Sequence, residues 1–422
     1  MIRSDTDGIH EQTDAQVLAL LPQRADDLER LRVLRGKPAP TVTVVGKYNH
    51  GKSRLLNELL GRDAFRVADR RETVILADAE QDGVRWLDAP GLDADVASED
   101  DRHAQRAAWL ESDIRLFVHA ATVGELDAAE RTLLERLRAD GERTGRQALF
   151  VLSQVDQLPG DEALHKVGDA IGLQAPGIEL LAVSATRHRQ GVEGGKKLLL
   201  EKSGFPQLQA RLQEALAQVP AARAHECALL YAEIRDELEQ LCTARESDLL
   251  ALREKQQAQH QAFTHGLTEV LEKVAEELRE VVDADVPDYA IMRETAADKY
   301  VMTAQKIERA RIQIAYSKAC IQIDAHLKAF GVTSVPNEQQ SLSATMNSPI
   351  IAVLGISVKF RKDLRALFFE AASRERLHAG FSHYFELSAD RAALASAIAA
   401  AETALASVAQ AQASWQQVEP GP

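Results

Sequence analysis

A short glycine-rich segment constrains the fold of this chain more than any other feature. The sequence GKYNHGKS spans residues 46–53, between the β-branched run Thr41–Val45 and the helical pattern Arg54–Leu60. Glycines at such positions let the backbone wrap around a phosphate group, so that several N–H groups point at one anion. Because strand, loop and helix follow in the order that this motif requires, the sequence predicts an α/β domain with a phosphate-binding loop.

The last two residues of this loop receive defined chemical roles. In this motif the lysine reaches the β- and γ-phosphates of a nucleotide and the hydroxyl ligates Mg²⁺, so we assign these roles to Lys52 and Ser53. We interpret the His50 side chain as directed to solvent rather than as a catalytic base. The predicted nucleotide contacts in this segment are Gly46, Asn49, His50, Gly51, Lys52, Ser53 and Arg54.

Two further segments complete the predicted phosphate and metal site. The sequence WLDAPG at residues 86–91 ends a strand pattern with DxxG, which places Asp88 to hold Mg²⁺ through water and the Gly91 amide to meet the γ-phosphate. Thr73 lies between the helix after the loop and the next strand pattern. We predict that it bonds both Mg²⁺ and the γ-phosphate in the triphosphate state. The predicted metal ligands are therefore Ser53, Thr73 and Asp88.

The sequence SQVD at residues 153–156 predicts how the base is recognised. It follows the apolar strand pattern Ala148–Leu152. The Asp156 carboxylate can accept two hydrogen bonds from the guanine edge, which adenine does not offer. Gln154 precedes it by two positions, and its aliphatic part can stack on the base. A third segment, Ser184-Ala185-Thr186, is predicted to contact the guanine carbonyl through its backbone.

Short apolar runs alternate with helical patterns from residue 41 to about residue 220. This alternation predicts a mostly parallel six-stranded sheet with helices on both faces. The turn Asp82-Gly83 joins two of the runs as a hairpin, which gives one antiparallel edge strand. The candidate strands are Thr41–Val45, Val74–Ala79, Val84–Leu87, Ile114–Ala120, Ala148–Ser153 and Leu180–Ser184.

Helical patterns dominate outside this region. One helix is predicted over Glu11–Leu34, ended by the sequence GKPAP at residues 36–40. Behind residue 220, apolar residues step by three, four or seven positions, as in Ile307, Ile314 and Ile321, which predicts the buried faces of an antiparallel bundle. We therefore divide the chain into residues 1–37, a helix packing on the helical domain; residues 38–220, the α/β domain; and residues 221–422, the helical domain with a tip loop at residues 331–360.

Charge and composition restrict the partners and the location. The formal net charge of −14 argues against nucleic acid as a partner. Three cysteines without metal-ligand spacing are typical of reduced thiols in a cytosolic protein. The polar, acid-bearing N-terminus is not a signal peptide, and no apolar run approaches the ~20 residues of a membrane span. We expect a cytoplasmic protein whose membrane attachment, if it has one, is peripheral at the inner face.

Taken together, the motifs resemble those of the TRAFAC class of P-loop GTPases. The loop with the sequence DAPGL at residues 88–92 is similar to the Era-like bacterial GTPases. The order of a helix, a GTPase domain, the sequence KSGFPQL at residues 202–208 and a long helical region is similar to bacterial dynamin-like proteins of the Leo type. The resemblance implies binding of GTP and GDP with Mg²⁺, and GTP hydrolysis. Gln154 stands where these GTPases usually carry a lysine whose stem covers the base.

The resemblance also implies how catalysis is completed. Leu92 occupies the place of the water-positioning glutamine of Ras-like enzymes, and a leucine cannot orient water. Asn49 either helps to coordinate K⁺ beside the phosphates or only braces the loop; both roles stay open. Dimerisation across the nucleotide face, as a homodimer or with a partner GTPase, is a second source of catalytic groups. We interpret Arg66, Arg70 and Arg71 as solvated surface charges. The predicted catalytic residues are Lys52, Thr73, Gly91 and Asn49.

The apolar run SPIIAVLGI at residues 348–356 precedes a basic cluster. Residues 349–365 therefore fit a peripheral membrane contact or a buried turn that caps the bundle, and we favour the buried turn. Three function classes stay open. The first is a dynamin-like GTPase that couples nucleotide-dependent dimerisation to rearrangement of a helical stalk. The second is a regulatory switch whose helical half binds a protein. The third is an Era-like ribosome or RNA factor, which ranks last because the chain is acidic and carries no RNA-binding pattern.

Overall fold

Two units make up the chain in a computed structural model, which describes residues 2–36, 39–65, 77–89, 106, 109–293, 300–336, 339–340, 347–355 and 357–420. The first unit consists of Met1–Glu239 with Ala411–Pro422, and the second consists of Gln240–Gln410. The elements up to the long helix are α1 (Ile2–Leu20), α2 (Ala25–Gly36), β1 (Thr41–Val45), α3 (Lys52–Leu60), β2 (Ala77–Gln81), β3 (Val84–Asp88), β4 (Ile114–Ala120), α4 (Ala128–Thr144), β5 (Gln147–Ser153), α5 (Asp161–Gln174), β6 (Leu180–Ala182), α6 (Ala185–Glu193) and α7 (Lys197–Glu201). The remaining helices are α8 (Phe205–Val282), α9 (Ala304–Ala329), α10 (Pro349–Leu354), α11 (Arg361–Phe368), α12 (Ala371–Glu386) and α13 (Ala389–Val418).

The first unit is built on a six-stranded sheet in the order β2-β3-β1-β4-β5-β6. Strands β2 and β3 pair antiparallel, and every other neighbouring pair is parallel. The mostly parallel sheet with one antiparallel edge strand, expected from the alternating pattern, is confirmed. The carboxyl ends of the five parallel strands meet at one edge of the sheet, where ligands of open α/β sheets bind.

Helices cover both faces of the sheet, which explains why the central strands read as continuous apolar runs. All seven residues of β4 are buried. Leu116 and Val118 pack with residues of α3 and of the start of α8 on one face. Phe117, which points to the other face, packs with residues of α4 and α5. The sheet therefore forms the middle layer of three, and its loops are held from both sides.

The N-terminal helix predicted over Glu11–Leu34 is divided in two. Leu21 adopts φ −126° and ψ 68°, outside the helical region, and Pro22 then begins a short 3-10 helix. A proline disfavours the helical conformation of the residue before it, so the apolar stripe continues across a break that periodicity does not show. The prediction of one continuous helix was wrong at this position.

The long helix α8 passes through Pro220, where we expected a domain boundary. It contributes residues 205–239 to the first unit and residues 240–282 to the second. A proline inside a helix removes one backbone hydrogen bond but does not by itself end the helix when the flanking turns are packed. The two units of the structure thus meet after Glu239. The division of the chain into three domains at residues 37 and 220 stays a proposal.

A buried arginine connects α2 to the amino-terminal edge of the sheet. Arg30 is 2% exposed, and its guanidinium donates hydrogen bonds to the Glu226 carboxylate at 2.7 Å, the Asp113 carboxylate at 3.0 Å and the Leu110 carbonyl at 2.9 Å. Glu226 belongs to α8, and Asp113 directly precedes β4. One side chain therefore joins two helices and the sheet.

The same charge cluster extends beneath the start of β5. Arg146, which directly precedes β5, donates to the Asp140 carboxylate at 3.1 Å and lies 3.1 Å from the Glu226 carboxylate. Arg115 on β4 pairs with the other side of Asp140. An uncompensated buried charge is strongly destabilising. Removal of any one of these groups would therefore leave its partners unpaired, so the groups depend on one another rather than forming independent pairs.

Asp113 of this cluster is held in its ionised form. Burial alone would raise the pKa of Asp113, but a hydrogen bond from Arg223 and the charges of Arg30 and Arg223 outweigh it and place the pKa below its usual range. Since the folded-state pKa is lowered, this contribution to stability is present above the ordinary carboxyl pKa of about 3.9 and is lost as the pH falls through the lower folded value.

The second unit is helical, and its core contains the run that we singled out for membrane contact. Ile350, Leu354 and Val358 are at most 9% exposed and pack with residues of α8, α9, α11 and α12. Arg361 of the following basic cluster is also buried, 2.6 Å from the Glu308 carboxylate. The membrane interpretation of residues 349–365 thus loses its basis, and the buried alternative agrees with the structure.

The stripe predicted as the core face of α9 lies on its outer face. Ile307, Ile314 and Ile321 are 55%, 59% and 68% exposed. The face packed in the core instead carries Ile312, Tyr316, Ala319, Ile323 and Leu327. A helix with two apolar stripes can bury either of them, so periodicity alone could not choose.

The last helix corrects a second expectation about membranes. Among the described residues, α13 is long and apolar enough to cross a bilayer by length and composition alone, with a mean hydropathy of 1.6 over its most apolar window, of which 17% is buried. Alanine makes up much of this helix. One such helix is weak evidence for a span, because core helices of soluble proteins meet the same criterion.

Replacing Glu226 with glutamine tests the buried charge cluster. Glu226→Gln keeps the size of the side chain but removes the negative charge that faces Arg30 and Arg146, so we expect the first unit to lose about 3–5 kcal/mol of unfolding free energy. Urea denaturation followed by tryptophan fluorescence measures this unit selectively, because Trp86, Trp109 and Trp415 all belong to it.

Glu237→Gln is the matched control on the same helix. Glu237 pairs with Arg24 at 2.6 Å, but the two side chains are 30% and 17% exposed, so we expect a loss of only about 0–1 kcal/mol. Equal losses in the two variants would contradict the assigned importance of the buried cluster.

Candidate nucleotide-binding site

The glycine-rich segment forms the loop between β1 and α3 at the carboxyl edge of the sheet. Gly46 has φ 145°, and a Cβ atom at this position would lie 2.3 Å from the Val118 carbonyl oxygen. Only glycine permits this approach of the loop to β4. Gly51 adopts φ 82° and precedes the first residue of α3, so the amide groups of the loop and of the helix N-terminus face the same space.

The two lysines of the loop have separate partners. The Lys52 ammonium donates a hydrogen bond to the Lys47 carbonyl at 2.8 Å, which holds this largely buried side chain across the loop. Lys47 forms an ion pair with Asp127, the residue that caps the N-terminus of α4. The hydrogen bond that Lys47 donates within this ion pair lowers the pKa of Asp127. The loop is thus fastened to α4 as well as to the sheet.

Ser53 and Asp88 lie together where the sequence placed a magnesium ion. The Ser53 hydroxyl donates a hydrogen bond to Asp88 Oδ2, while Asp88 Oδ1 is buried and has no hydrogen-bond partner among the residues that the structure describes. Burial raises the pKa of Asp88, and Ser53 and Lys52 act in the opposite direction. A hydroxyl and a carboxylate with an unpartnered buried oxygen fit Mg²⁺, which prefers oxygen ligands.

The segment predicted to recognise the base is attached directly to the phosphate loop. Gln154 adopts φ 58°, and its Nε2 donates to the Asn49 carbonyl at 2.8 Å. The Ser153 hydroxyl donates to the His50 carbonyl at 2.6 Å. Gln154 Oε1 also accepts a hydrogen bond from the Thr122 hydroxyl at 3.3 Å. The glutamine in the place of the usual lysine therefore makes a bridging contact between the two loops.

Asp156 lies at the same edge, in the 3-10 helix Val155–Gln157. Its carboxylate is half-buried and makes no hydrogen bond or ion pair with the residues that the structure describes. It is therefore available to accept hydrogen bonds from a base, in keeping with its predicted role.

The third predicted contact segment lies beside Asp156. The Val155 amide donates to the Val183 carbonyl at 3.4 Å, which brings the start of α6 next to the 3-10 helix. Ser184 caps α6 by accepting a hydrogen bond from the Arg187 amide at 3.0 Å, and Ala185 and Thr186 form its first turn. The structure thus brings residues 46–53, 88, 153–156 and 184–186 to one edge of the sheet.

Some predicted residues are not brought together here. Thr73 and Gly91 lie outside the residues that the structure describes, so their roles stay predictions. The same holds for Leu92 and for the three switch-region arginines at positions 66, 70 and 71. Arg54 is exposed on α3, and no hydrogen bond or ion pair ties it to the loop within the described part of the chain.

His50 is the residue whose environment we predicted wrongly. It is 5% exposed instead of directed to solvent, and its ring stacks edge-on against His119 with centroids 5.1 Å apart. Sequence reasoning missed His119 and Glu130, which pair at 2.7 Å behind the loop. The available signal was a histidine near the carboxyl end of the strand pattern Ile114–Ala120.

Comparison with known proteins supports the assignment of the first unit. The family model described as 50S ribosome-binding GTPase matches residues 41–154. An uncharacterized protein of Acinetobacter baylyi is 49% identical over 391 residues, which are 92% of this chain and 93% of that protein. The tRNA modification GTPase MnmE of Salinibacter ruber is 34% identical over 131 residues, 29% of this chain and 28% of that protein. GTPase Der of Geobacter sp. is 28% identical over 163 residues, 36% of this chain and 34% of that protein.

Solved structures resemble this chain only in fold. A variant of Era from Aquifex aeolicus bound to GDP·AlF4⁻ has a TM-score of 0.29 and 23% identity, and covers 38% of this chain and 55% of that one. A chain of an oligomerised bacterial dynamin pair has a TM-score of 0.34 and 12% identity, and covers 97% of this chain and 77% of that one. Both scores are too low to bear on function.

The match to the Acinetobacter protein extends over nearly the whole length of both chains, whereas the matches to MnmE and Der span about a third of those proteins. The loops gathered at the carboxyl edge of the sheet are those through which nucleoside triphosphates bind in such domains. Residues 41–154 therefore form a domain of the P-loop GTPase class, and the chain belongs to the same family as the Acinetobacter baylyi protein.

Proposed function

We propose that this protein binds GTP with Mg²⁺ and hydrolyses it, and that nucleotide-dependent dimerisation rearranges its helical part. The observation that carries the proposal is the direct attachment of the base-side segment to the phosphate loop. Ser153 and Gln154 hydrogen-bond to the carbonyls of His50 and Asn49. The two loops are therefore already fixed relative to each other before a ligand binds. A ligand that contacts both of them does not have to order two independent loops.

The residues at this edge have complementary tasks in the proposed reaction. Ser53 and Asp88 would hold Mg²⁺, which would supply positive charge to neutralise the charge that develops between the β- and γ-phosphates. Lys52 adds a second positive charge at the phosphates, and the amides after Gly51 bind their oxygens. We expect Thr73 to bond Mg²⁺ and the γ-phosphate, and the Gly91 amide to meet the γ-phosphate. Asp156 selects guanine by accepting two hydrogen bonds from its N1–H and 2-amino groups.

Asp156→Asn tests the choice of base. We expect GDP affinity to fall by about 1.5–3 kcal/mol, a roughly 10- to 150-fold rise in Kd, because the amide offers only one acceptor to the two guanine donors. Xanthine carries a carbonyl in place of the 2-amino group, so the variant should bind xanthosine diphosphate more tightly than the wild type does.

Calorimetric titration with both nucleotides measures these effects. Asp161→Asn, an exposed carboxylate at the start of α5, is the control and should leave both affinities unchanged. A wild-type protein that ignores GDP, or that prefers ADP, would overturn the proposed function.

Gln154→Leu tests the bridge between the loops. The leucine keeps an apolar stem for the base but loses the hydrogen bond to the Asn49 carbonyl, so we expect a loss of about 0.5–1.5 kcal/mol in GDP binding, roughly 2- to 13-fold in Kd. Gln154→Lys retains a donor and should bind GDP at least as tightly as the wild type. Unchanged binding in Gln154→Leu would show that the bridge does not contribute.

Completion of catalysis by K⁺ or by a second copy is a separate part of the proposal. Asn49 is exposed at the loop and has φ 61°, so its side chain is accessible to an ion or to a partner. We expect slow intrinsic hydrolysis that rises on the order of 100-fold in K⁺ or on dimerisation, the size of effect that one well-placed charge-stabilising group supplies.

Turnover measured in KCl and in NaCl at equal ionic strength, over a range of protein concentrations, separates the two sources. Stimulation by K⁺ that disappears in Asn49→Ala would support the ion. A specific activity that rises with protein concentration in either salt would support the dimer. Rates indifferent to both the cation and the concentration would remove this mechanism.

A regulatory switch is the second candidate function, and the outer face of α9 favours it. Ile307, Ile314 and Ile321 form a row of exposed apolar side chains at seven-residue spacing, which is typical of a surface that pairs with another helix.

A membrane role no longer has support from residues 349–365. A ribosome- or RNA-associated role, suggested by the description of the family model, ranks last because of the net charge of −14. Stimulation of hydrolysis by anionic liposomes would favour a dynamin-like function over the switch.

A further inference from the structure

Three buried side chains with metal-ligating atoms converge behind the phosphate loop. His50, His119 and Glu130 are 5%, 0% and 0% exposed, and one ligand atom from each lies within 4.8 Å of the others. His119 Nδ1 is 2.7 Å from Glu130 Oε1, and His50 Nδ1 is 3.4 Å from the same oxygen. None of them belongs to the magnesium site formed by Ser53 and Asp88.

We propose that His50, His119 and Glu130 bind a divalent transition-metal ion of the Zn²⁺ class. Two imidazoles and one carboxylate form a ligand set found at zinc sites, with a fourth position left for water. Mg²⁺ prefers an all-oxygen environment, so the two sites select different ions by the chemistry of their donors. The new site ties the phosphate loop, β4 and α4 to one ion.

Contacts outside the three ligand atoms already orient two of the side chains. His119 Nε2 lies 3.1 Å from the Gly124 carbonyl, which fixes a proton on that nitrogen and leaves Nδ1 to face the site. Glu130 Oε2 accepts a hydrogen bond from the Asp127 amide at 3.2 Å, which leaves Oε1 for the ion. A hydrogen bond from the far ring nitrogen to a carbonyl is the usual second contact of a metal-bound histidine.

His50 completes the set because, among the residues that the structure describes, no contact shorter than 3.4 Å engages its Nδ1. That nitrogen lies 3.4 Å from the Val118 carbonyl and 3.4 Å from Glu130 Oε1, both at the limit of hydrogen bonding. Burial is the largest influence on this ring and lowers its pKa, against the opposing charge of Glu130. Burial thus favours the neutral imidazole, which is the form that binds a metal ion.

Metal binding at this position requires His119 Nδ1 and Glu130 Oε1 each to present a lone pair to the ion instead of facing each other. The bound ion restrains the backbone of His50, whose carbonyl accepts the Ser153 hydrogen bond, so GDP and the metal should affect each other's affinity reciprocally.

Titration with Co²⁺ as a spectroscopic substitute for Zn²⁺ tests the proposal on the full-length protein. Saturating Mg²⁺ is included, which occupies the oxygen site, and the readout requires neither GTP binding nor hydrolysis. We expect one equivalent of Co²⁺ with the visible absorption of a low-coordinate nitrogen- and oxygen-ligated ion, and loss of that absorption when Zn²⁺ is added. Absence of a stoichiometric visible band would overturn the proposal.

Single substitutions locate the site. His50→Gln and His119→Gln should each weaken Co²⁺ binding by at least about 100-fold. Loss of a residue that only supports a metal ligand costs up to about 100-fold in metal affinity, so loss of a ligand itself should cost no less. His165→Gln, an exposed histidine on α5, is the matched control and should bind Co²⁺ as the wild type does. Binding that survives both His50→Gln and His119→Gln, or that is lost equally in His165→Gln, would place the ion elsewhere and refute the site.

Thermal unfolding provides a readout that does not depend on the buried variants folding well. An ion that binds only the folded protein raises Tm by mass action, so Zn²⁺ should stabilise the wild type and the His165→Gln control. His50→Gln, which removes only the ligand with the longest contacts, should fold and lose this stabilisation. A wild-type Tm that does not respond to Zn²⁺ would contradict the proposal.

Discussion

The close approach of the phosphate loop to the end of β4 is the contact on which the chemistry of the first unit depends. At Gly46 a Cβ atom would lie 2.3 Å from the Val118 carbonyl, so the chain can leave β1 along this path only without a side chain. The next carbonyl of β4, that of His119, lies 3.2 Å from the Ser153 hydroxyl. One strand end therefore positions the phosphate loop, the base-side segment and the buried histidine together, and a side chain at position 46 would displace all three.

The opposite edge of the sheet is organised by charge. Arg30 joins Glu226 of α8 to Asp113, the residue before β4, in a setting from which water is largely excluded. Other arrangements of these helices would leave a buried charge unpaired, which is costly, so the cluster favours one placement of α2 and α8 on the sheet. The part of α8 that belongs to the first unit is thus anchored at the amino-terminal edge of the sheet.

The helical unit contains two apolar stripes on α9 and uses one of them for its core. The exposed stripe at Ile307, Ile314 and Ile321 reverses the core face that we expected from the sequence, whereas the burial of the run around Ile350 agrees with the interpretation that we favoured. The apolar surface available for a partner lies on the outer face of a helix rather than in a loop with basic neighbours. This arrangement suits contact with another protein better than contact with a bilayer, because lipid binding at a soluble surface usually combines apolar and basic groups.

The sequence by itself determined the sheet, the phosphate loop and the positions of Lys52, Ser53, Asp88 and Asp156 along it. These features depend on glycines, β-branched runs and short spacings, which act over a few neighbouring residues. Tertiary structure decided that His50 is buried, that Gln154 bridges two loops, that α8 continues through Pro220 and which stripe of α9 faces the core. Each of these depends on groups that are distant in the chain and meet only when helices and sheet pack, because burial and pairing are properties of the assembled layers and leave no periodic trace in the sequence.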